Sequence, residues 1–309
     1  MYDLIIVGAS AAGCAASIYA ARRNLNFKII SKDIGGEVLI SGDIENYLGF
    51  SRINGIELVV KFKKHLKFYG IEVEEKEVKK ITMNNEQRIM GNVFTVITKD
   101  NEYQAKSIIL ATGAHPRKLD VKGEQEFYGK GITYCTVCDG PLFKDKVTAT
   151  IGGGNSGLES ALMMEGIAKK VYLLEFGDKL KGDDILIEKA KKSNKIEIIT
   201  NAKTMEIKGD IMVNSLKYAD TKTGESREIL VQGVMIHIGL IPNSDIAPND
   251  VLKNEFNEVL VDCNAKTNIN GFFAAGDITA IPYKQIGIAG GQGVISALSV
   301  VEYLNKLKV

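Results

Sequence analysis

Residues 147–157 read Val147-Thr148-Ala149-Thr150-Ile151-Gly152-Gly153-Gly154-Asn155-Ser156-Gly157. The first five residues are typical of a strand buried in a parallel sheet, and the glycines that follow have the Gly-x-Gly-x-x-Gly spacing of a dinucleotide-binding turn. We predict a helix from this turn to about Ile167 and the next strand at residues 171–174. The segment therefore predicts a β-α-β unit whose turn can receive a nucleotide.

A similar unit opens the chain. Residues 4–7 predict an apolar strand, residues 8–13 a glycine turn followed by a helix to about Arg23, and residues 27–31 the next strand. Ser10 stands where the fingerprint has its middle glycine, so this match is incomplete, and the alternative is a tight turn with no ligand. Two such units, about 145 residues apart, predict two nucleotide-type domains, or one domain and its duplicated copy.

The composition is that of a globular protein. The chain has 309 residues, of which 45% are hydrophobic and 25% are charged, and its formal net charge is +1. This balance gives no global electrostatic reason to bind nucleic acid or an anionic membrane. Residues 4–21 are mostly apolar, but Gly8, Ser10 and Gly13 interrupt them, so a strand, turn and helix are expected there and not a membrane span. We expect a cytoplasmic protein.

The rest of the chain adds apolar strands that end in glycine. Strands are predicted at residues 107–113, 234–238 and 272–275, and the last runs into Gly276-Asp277. An amphipathic helix is predicted at residues 55–69. Residues 287–293 contain four glycines, which favours close approach to a flat or phosphorylated ligand at the start of a final helix over 293–307; the alternative is a flexible loop.

Two of the four cysteines form a Cys-x-x-Cys motif. Cys135 and Cys138 have the spacing of a reversible disulfide, and no second pair of ligands is evident for zinc, so we predict no metal site. Asp139 could act as a general acid or base for the thiols, or could simply be a turn residue before Gly140. Cys14 and Cys263 are interpreted as buried apolar residues. The three histidines, His65, His115 and His237, are interpreted as ordinary polar or core residues.

Glu175 follows the strand predicted at residues 171–174 and lies 18 residues beyond Gly157. In dinucleotide folds an acid at this place accepts hydrogen bonds from a ribose 2′-hydroxyl and disfavours a 2′-phosphate. The site, if it binds either nucleotide, should prefer NADH to NADPH. The alternative is a solvated residue at the end of a strand.

The order of the motifs along the chain resembles that of the low-molecular-weight thioredoxin reductases, which are FAD-dependent homodimers. The resemblance covers about residues 2–307. It implies an α/β fold with two Rossmann-like, three-layer nucleotide-binding domains. The FAD domain would be discontinuous, formed by residues 1–115 and 243–309, and residues 116–242 would form the NAD(P)H-domain-like part that bears the Cys-x-x-Cys motif. The matching pieces are the two glycine turns, Ala111-Thr112-Gly113, Cys135-Thr136-Val137-Cys138-Asp139-Gly140, Ala274-Ala275-Gly276-Asp277, Gly35-Gly36-Glu37, Glu45-Asn46-Tyr47, Gly239-x-x-Pro242-Asn243 and Tyr283-Lys284-Gln285-Ile286.

The resemblance also implies roles for individual residues. Cys138 would be the thiol nearest the flavin, Cys135 the thiol that attacks the partner's disulfide, and Asp139 the residue that manages the proton. The residues implied to bind FAD are Gly8, Ser10, Ala12, Gly13, Gly36, Glu37, Asn46, Ala111, Thr112, Gly113, Gly276, Asp277, Gln285 and Ile286.

The sequence departs from the family's usual pattern after the second glycine turn. Ordinary members carry an arginine-rich run there that grips the 2′-phosphate of NADPH, whereas residues 175–181 read Glu-Phe-Gly-Asp-Lys-Leu-Lys. Lysines are poor substitutes for bidentate arginines, and a carboxylate repels phosphate. The pattern is similar to the branch of the family that takes electrons from reduced ferredoxin. A docking patch for that acidic partner could include Lys169, Lys170, Lys179, Lys181, Lys189, Lys191, Lys192 and Lys195, or these could form an ordinary solvated face.

These features predict an FAD-dependent thioredoxin-disulfide reductase that receives electrons from ferredoxin in preference to NADPH. NADH is the alternative donor. Two other classes stay open: a redox-sensing flavoprotein that passes nothing onward, and a flavin reductase or oxidase that feeds a peroxidase without thioredoxin turnover. The intact Cys135–Gly140 motif favours disulfide chemistry over a pure oxidase.

Overall fold

The computed structural model describes residues 1–41, 43–44, 46–84 and 92–307. Within these residues the helices are α1 (Ala11–Arg22), α2 (Glu37–Ile40), α3 (Gly55–Phe68), α4 (Thr136–Asp139), α5 (Asn155–Glu165), α6 (Asp184–Lys192) and α7 (Ile286–Lys306), with a short 3₁₀ helix at Gly140–Phe143. The strands are β1 (Leu4–Ala9), β2 (Phe27–Ile34), β3 (Asp43–Ile44), β4 (Ile53–Asn54), β5 (Val73–Glu75), β6 (Val78–Asn84), β7 (Val93–Thr98), β8 (Glu102–Ala105), β9 (Ile108–Leu110), β10 (Ala114–Pro116), β11 (Ile132–Thr133), β12 (Val147–Ile151), β13 (Lys170–Leu174), β14 (Ile196–Ile199), β15 (Ala202–Gly209), β16 (Val213–Asp220), β17 (Ser226–Leu230), β18 (Gly233–Ile236), β19 (Leu240–Pro242) and β20 (Phe272–Ala274).

The chain divides into two compact units. Unit 1 comprises Met1–Ser41, Glu45–His115 and Ile241–Val309, and unit 2 comprises Gly42–Ile44 and Pro116–Leu240. Each unit contains a parallel sheet with helices, so the predicted mixed α/β class is confirmed. The roles predicted for residues 1–115 with 243–309, and for residues 116–242, stay predictions.

Unit 1 is built on a five-stranded parallel sheet with the order β20-β9-β1-β2-β5. Its central strand is apolar on both faces, because Ile6 packs with the alanines of α1 and α7 whereas Ile5 packs with Phe94 of the antiparallel sheet β6-β7-β8. The unit therefore has three layers: helices, parallel sheet and antiparallel sheet. The apolar residues 4–21 form β1 and α1 within these layers.

The final helix begins earlier than expected. The start predicted at Gly293 is wrong, because α7 begins at Ile286 and the glycines from Gly287 onward lie inside it. Gly293 itself lies against α1, because a Cβ there would overlap the carbonyl oxygen of Ala12. Gly293 therefore serves the close packing of two helices and not a turn, whereas nothing lies within 4 Å of a Cβ placed on Gly287, Gly290 or Gly291. Among the described residues α7 alone is long and apolar enough to cross a membrane, a test that core helices also pass, and one side of it is buried against α1.

Unit 2 repeats the arrangement with a sheet of order β11-β18-β12-β13-β14, all in parallel pairs. The antiparallel strands β15, β16 and β17 form a separate sheet and lie between β14 and β18 in the chain. Met235 of β18 packs with Leu158 of α5, and Val234 on the opposite face packs with Leu216 of β16. This packing fixes the ends of β11, β12, β13 and β18, which carry the residues of chemical interest.

Candidate active site

The turns after β1 and β9 meet at one edge of the unit 1 sheet. Gly8 has φ +109°, and a Cβ there would overlap the carbonyl oxygen of Ala111. A Cβ on Gly13 would overlap the carbonyl oxygen of Gly8. Parallel strands place their carboxyl ends at a common edge of the sheet. At Gly8 and Gly13 the backbone of the turn approaches a carbonyl oxygen so closely that only glycine fits.

Ser10 connects this turn to the loop after β2. Its hydroxyl donates to the carbonyl oxygen of Gly35 at 2.6 Å, and the amide of Gly36 donates to Asp33 Oδ1 at 2.9 Å. Gly36, with φ +52°, is followed by Glu37, the first residue of α2. Ser10, which makes the match to the fingerprint incomplete, thus links the turn to the loop that carries Gly36 and Glu37, two of the residues predicted to bind FAD.

The loop after β20 approaches the same turn from the other side. A Cβ on Gly276 would stand 3.1 Å from Ala12 Cβ, and the Gly276 amide donates to Gln292 Oε1 at 2.7 Å. Gln292 is buried in α7, and the motif patterns do not select it, although a glutamine among glycines and apolar residues is a usable signal. Burial raises the pKa of Asp277, and the described residues place no hydrogen-bond donor on its carboxylate.

The remaining predicted FAD residues lie at α7 and after β9. Asn46 Nδ2 donates to Gln285 Oε1 at 3.1 Å, Gln285 precedes α7, and Ile286 is the first residue of that helix. Thr112 exchanges two hydrogen bonds of 2.8 Å with Asn243, next to Gly113. Glu45, part of one matching motif, lies outside the described residues.

This edge fits FAD. Bare glycine backbone and the N-terminus of α1 suit a pyrophosphate, and the carboxylate of Asp277 can accept from a hydroxyl of the bound molecule. The individual contacts stay predictions, but close contacts join the turn of residues 8–13 to Gly36, Ala111 and Gly276, and a hydrogen bond joins Gly276 to α7.

Cys135 and Cys138 form a disulfide at α4, with a Cα–Cα distance of 5.3 Å. The Cys138 amide donates to Cys135 Sγ at 3.2 Å, which places the first sulfur over the start of the helix. Val137, between the cysteines, is 53% exposed. The predicted redox disulfide is thus confirmed, and both of its cysteines are partly exposed.

Thr133 holds the residues on either side of the disulfide. Its hydroxyl donates to Asp139 Oδ2 and accepts from the Cys135 amide at 3.0 Å. Asp139 is therefore oriented by a neighbour in β11 and is not only a turn residue. Its role in proton transfer stays a prediction.

A second polar group lies beneath α4. Thr136 Oγ1 is 2.6 Å from Ser160 Oγ and 2.7 Å from His237 Nε2, and Thr136 is 3% exposed. Burial lowers the pKa of His237 to about 4, so its imidazole is neutral at physiological pH. Our interpretation of His237 as an ordinary residue missed this contact. The sequence feature that could have identified this contact is a histidine between Ile236 and Ile238, at the end of a buried strand.

The second glycine turn is complete and partly open. Gly152 has φ +115°, and a Cβ there would overlap the carbonyl oxygen of His237, just as a Cβ on Gly157 would overlap that of Gly152. At Gly154, by contrast, nothing lies within 4 Å of the place a Cβ would occupy. The turn has the form required of a pyrophosphate site, with space at its middle position.

Glu175 closes one side of this turn. It is 9% exposed, and its Oε2 accepts from the Gly153 amide at 2.7 Å while its Oε1 accepts from the Gly177 amide at 2.8 Å. The alternative of a solvated residue is wrong, because the carboxylate is buried and fixed beside the turn. Its contact with a ribose stays a prediction.

The other two cysteines differ from each other. Cys14 is buried, and burial raises the pKa of its thiol to about 12. Cys263 is exposed, so its predicted burial is wrong; it lies in a polar turn where Asp262 accepts from the amides of Asn264 and Lys266. Among the described residues no three histidine, cysteine or acidic side chains stand close enough to hold a metal ion.

Known proteins share this architecture. A model of the pyridine nucleotide-disulphide oxidoreductase family matches residues 2–294. The chain belongs to this family. Membership confirms the predicted enzyme class, a flavin-dependent disulfide oxidoreductase, and the predicted cofactor, FAD, at the level of the family.

Two curated relatives within this family cover nearly the whole chain. An alkyl hydroperoxide reductase protein of Escherichia coli is 40% identical over 99% of the chain, and the NADH dehydrogenase of Bacillus subtilis is 38% identical over 98%. The chain spans only 59% and 58% of these two proteins, about three fifths of their length.

Solved structures match over the full length. A thioredoxin reductase from Streptococcus pyogenes is 34% identical, with 99% of both chains covered and a TM-score of 0.91. A ferredoxin-flavin thioredoxin reductase from Clostridium acetobutylicum is 31% identical, covering 99% of this chain and 98% of its own, with a TM-score of 0.53. The resemblance to thioredoxin reductases is thus confirmed, whereas the ferredoxin branch is not.

Proposed function

We propose that the chain is an FAD-dependent disulfide reductase that takes electrons from NADH and passes them through Cys135–Cys138 to the disulfide of a thioredoxin-like protein. The observation that carries the choice of donor is the complete glycine turn with a buried carboxylate fixed at its side. Backbone packing requires Gly152 and Gly157, but it does not require a glycine at position 154, where nothing lies within 4 Å of the place a Cβ would occupy and a nucleotide has room to approach.

Charge and space at the turn favour NADH over NADPH. Two amides hold the Glu175 carboxylate in place, and its negative charge opposes a 2′-phosphate while leaving acceptor capacity for ribose hydroxyls. No arginine occurs in residues 175–181 to compensate. Open space at Gly154 allows a pyrophosphate to approach the backbone. The name of the NADH dehydrogenase relative supports the same donor.

The structure offers less support for ferredoxin, the donor favoured by the sequence. Several of the lysines expected to form a docking patch are engaged within unit 2. Lys170 Nζ lies 2.6 Å from Glu197 Oε2, and Lys195 Nζ donates to two backbone carbonyl oxygens at 3.0 and 3.2 Å. Ferredoxin therefore becomes the second arm of the donor experiment below.

FAD supplies, when bound, a two-electron carrier between a nicotinamide and a disulfide. The reduced pair then acts by thiol–disulfide exchange: Cys135 Sγ attacks the partner's disulfide, and Cys138 Sγ attacks the mixed disulfide and releases the reduced partner. Asp139, oriented by Thr133, would hold the proton that leaves or enters the thiols. The overall exchange is NADH, one proton and a partner disulfide giving NAD⁺ and a partner dithiol.

The likeness to thioredoxin reductases leads us to propose a homodimer as well, and light scattering tests this oligomeric state. We also propose a cytoplasmic location.

The donor test is anaerobic bleaching of the bound flavin by NADH, NADPH or reduced ferredoxin in separate stopped-flow mixings. We expect NADH to bleach the flavin at least about tenfold faster than NADPH at equal concentration. A tenfold difference corresponds to about 1.4 kcal/mol of repulsion between the Glu175 carboxylate and the 2′-phosphate of NADPH. Bleaching by ferredoxin without a response to NADH would contradict the proposed donor.

A pair of glycine variants locates the donor site. Gly154→Ala places a methyl group in the open space of the turn, and we expect the concentration of NADH for half-maximal bleaching rate to rise at least tenfold with stability unchanged. Gly166→Ala, at the exposed end of the same helix, is the matched control and should leave that concentration unchanged. Equal effects of the two variants would remove the turn from the proposal.

The partner test is thioredoxin-coupled reduction of insulin. Cys135→Ser and Cys138→Ser should each abolish turnover, while NADH still bleaches the flavin. Bleaching with no turnover in the unaltered protein would instead favour the redox-sensor alternative or a dedicated peroxidase partner, in keeping with the alkyl hydroperoxide reductase relatives.

A further inference from the structure

The polar group beneath the redox pair joins three elements of unit 2. Thr136 belongs to α4, Ser160 to α5, and His237 to the segment that follows β18. The two contacts that link them, of 2.6 and 2.7 Å, share Thr136 Oγ1. One hydroxyl between the two cysteines is thus held from two directions by groups that lie far away in the sequence.

One side of this group is apolar and closely packed. Leu158, Ala161 and Met164 of α5 are buried, and a Cβ on Gly140 would stand 3.2 Å from Met164 Sδ. Buried hydroxyl and imidazole groups cost free energy unless they are paired, and apolar side chains could fill the same volume. The pairing therefore serves the placement of α4 and not merely the filling of space.

Helix α4 has only four residues and cannot hold its own geometry. It must nevertheless keep Cys135 and Cys138 at a Cα–Cα distance of 5.3 Å for the disulfide to close. The reduced pair has no such requirement, because two free thiols tolerate a wider range of backbone conformations. An anchor on Thr136 consequently favours the disulfide over the dithiol.

We propose that His237 is a positioning residue of the redox pair, which together with Ser160 holds Thr136 and so sets the balance between disulfide and dithiol. The proposal rests on the redox role of Cys135 and Cys138 but not on the identity of the electron donor or of the partner. The neutral imidazole of His237 can either donate to Thr136 Oγ1 or accept from it, so the anchor works with either tautomer.

The test is the equilibrium of the FAD-containing protein with dithiothreitol at pH 7. Two electrons and two protons pass from the dithiol reagent to Cys135–Cys138, giving two protein thiols and the cyclic disulfide of the reagent. Acid quenching, alkylation and mass spectrometry then count the modified cysteines, with Cys14 and Cys263 as a constant background. This readout needs no NADH and no thioredoxin, so its outcome is separate from that of the donor test.

Two variants remove the anchor and two retain it. His237→Ala and Thr136→Val should each shift the equilibrium about three- to tenfold toward the dithiol, the range expected for one net hydrogen bond. His237→Gln and Thr136→Ser keep a hydrogen-bonding group and should stay within about twofold of the unaltered protein. The double variant His237→Ala/Thr136→Val should shift the equilibrium no further than Thr136→Val alone, because that single variant already removes the contact with His237 as well as the one with Ser160.

The matched control is Thr150→Val in β12 of the same unit. Thr150 Oγ1 is buried and finds no hydrogen-bond partner among the described residues, so its removal should leave the equilibrium unchanged. Retained flavin and an unchanged circular dichroism spectrum establish that each variant is folded. If Thr136→Val and His237→Ala are folded yet match Thr150→Val, or if they favour the disulfide, the proposal is overturned.

Discussion

The two glycine turns have the same backbone geometry but differ in the residue at their middle position. In each turn the first glycine has a positive φ, +109° at Gly8 and +115° at Gly152, and a Cβ on the last glycine would overlap the carbonyl oxygen of the first. At the middle position the first turn has Ser10, whose hydroxyl is bonded to Gly35, and the second has Gly154, which faces open space.

The difference lies in how far each turn is enclosed by its neighbours. Ser10 ties the first turn to the loop after β2, and loops after β9 and β20 also meet it, which suits a cofactor held permanently. The second turn is bounded by Glu175 and left open at Gly154, which suits a donor that must enter and leave. Ser10 thus links the first turn to the loop after β2, a contact that a glycine at this position could not make.

The largest effect should come from the glycines that the two turns share. Gly13→Ala and Gly157→Ala each force a methyl group onto a carbonyl oxygen, and each should destabilise its own unit by about 3 kcal/mol or more. Urea unfolding and bound-flavin content measure this. Gly13→Ala should lose FAD, whereas Gly157→Ala should keep FAD in unit 1 and lose its response to NADH. Loss of FAD from both variants alike would break the division of labour between the turns.

Acid should act on unit 2 through His237. The unfolded imidazole titrates near 6.5 and the buried one has a pKa of about 4, so between these values the unfolded state binds an extra proton. Stability should therefore fall by up to about 3 kcal/mol as the pH drops from 6.5 to 4. Urea unfolding of His237→Gln across this range is the check, because the variant should lack that part of the slope. Equal slopes would show that the His237 imidazole is accessible to protons in the folded protein.

A smaller effect is expected at Asp277 in unit 1. Because desolvation raises the pKa of Asp277, ionisation of this partly buried side chain costs the folded protein stability, and that cost is absent at low pH and present at pH 7. Asp277→Asn should raise the stability of FAD-free protein by about 1 kcal/mol and should weaken FAD retention. Thermal unfolding with and without FAD measures both. A variant that is less stable without FAD and binds it normally would contradict the predicted contact.

The smallest effect should come from the middle positions themselves. Ser10→Ala removes one hydrogen bond to Gly35 and should cost about 1 kcal/mol, seen as faster loss of FAD in dilute urea. Gly154→Ser is the reciprocal change and should leave stability unaltered while raising the NADH requirement. If Ser10→Ala retains FAD as well as the unaltered protein does, the enclosure of the first turn does not depend on this hydroxyl.

Sequence reasoning succeeds wherever function depends on local spacing. The strand and turn at residues 147–157 and the disulfide of Cys135 with Cys138 all follow from residues a few positions apart. It fails where packing decides. The glycines of residues 287–293 predict a helix that starts only at Gly293, yet α7 begins at Ile286 and Gly293 packs against Ala12 inside it. Cysteine is usually buried, which predicts burial of Cys263, yet its turn is exposed.

The sequence by itself determined the family, the α/β class, the redox pair and the lack of an arginine-rich phosphate grip, because each depends on residue type and short-range order. Only the tertiary structure decided that Glu175 is buried against Gly153 and that His237 reaches Thr136. Both contacts join residues more than 20 positions apart. Such contacts arise from the parallel sheet, which brings distant strand ends to one edge, and no local pattern records which of them will meet.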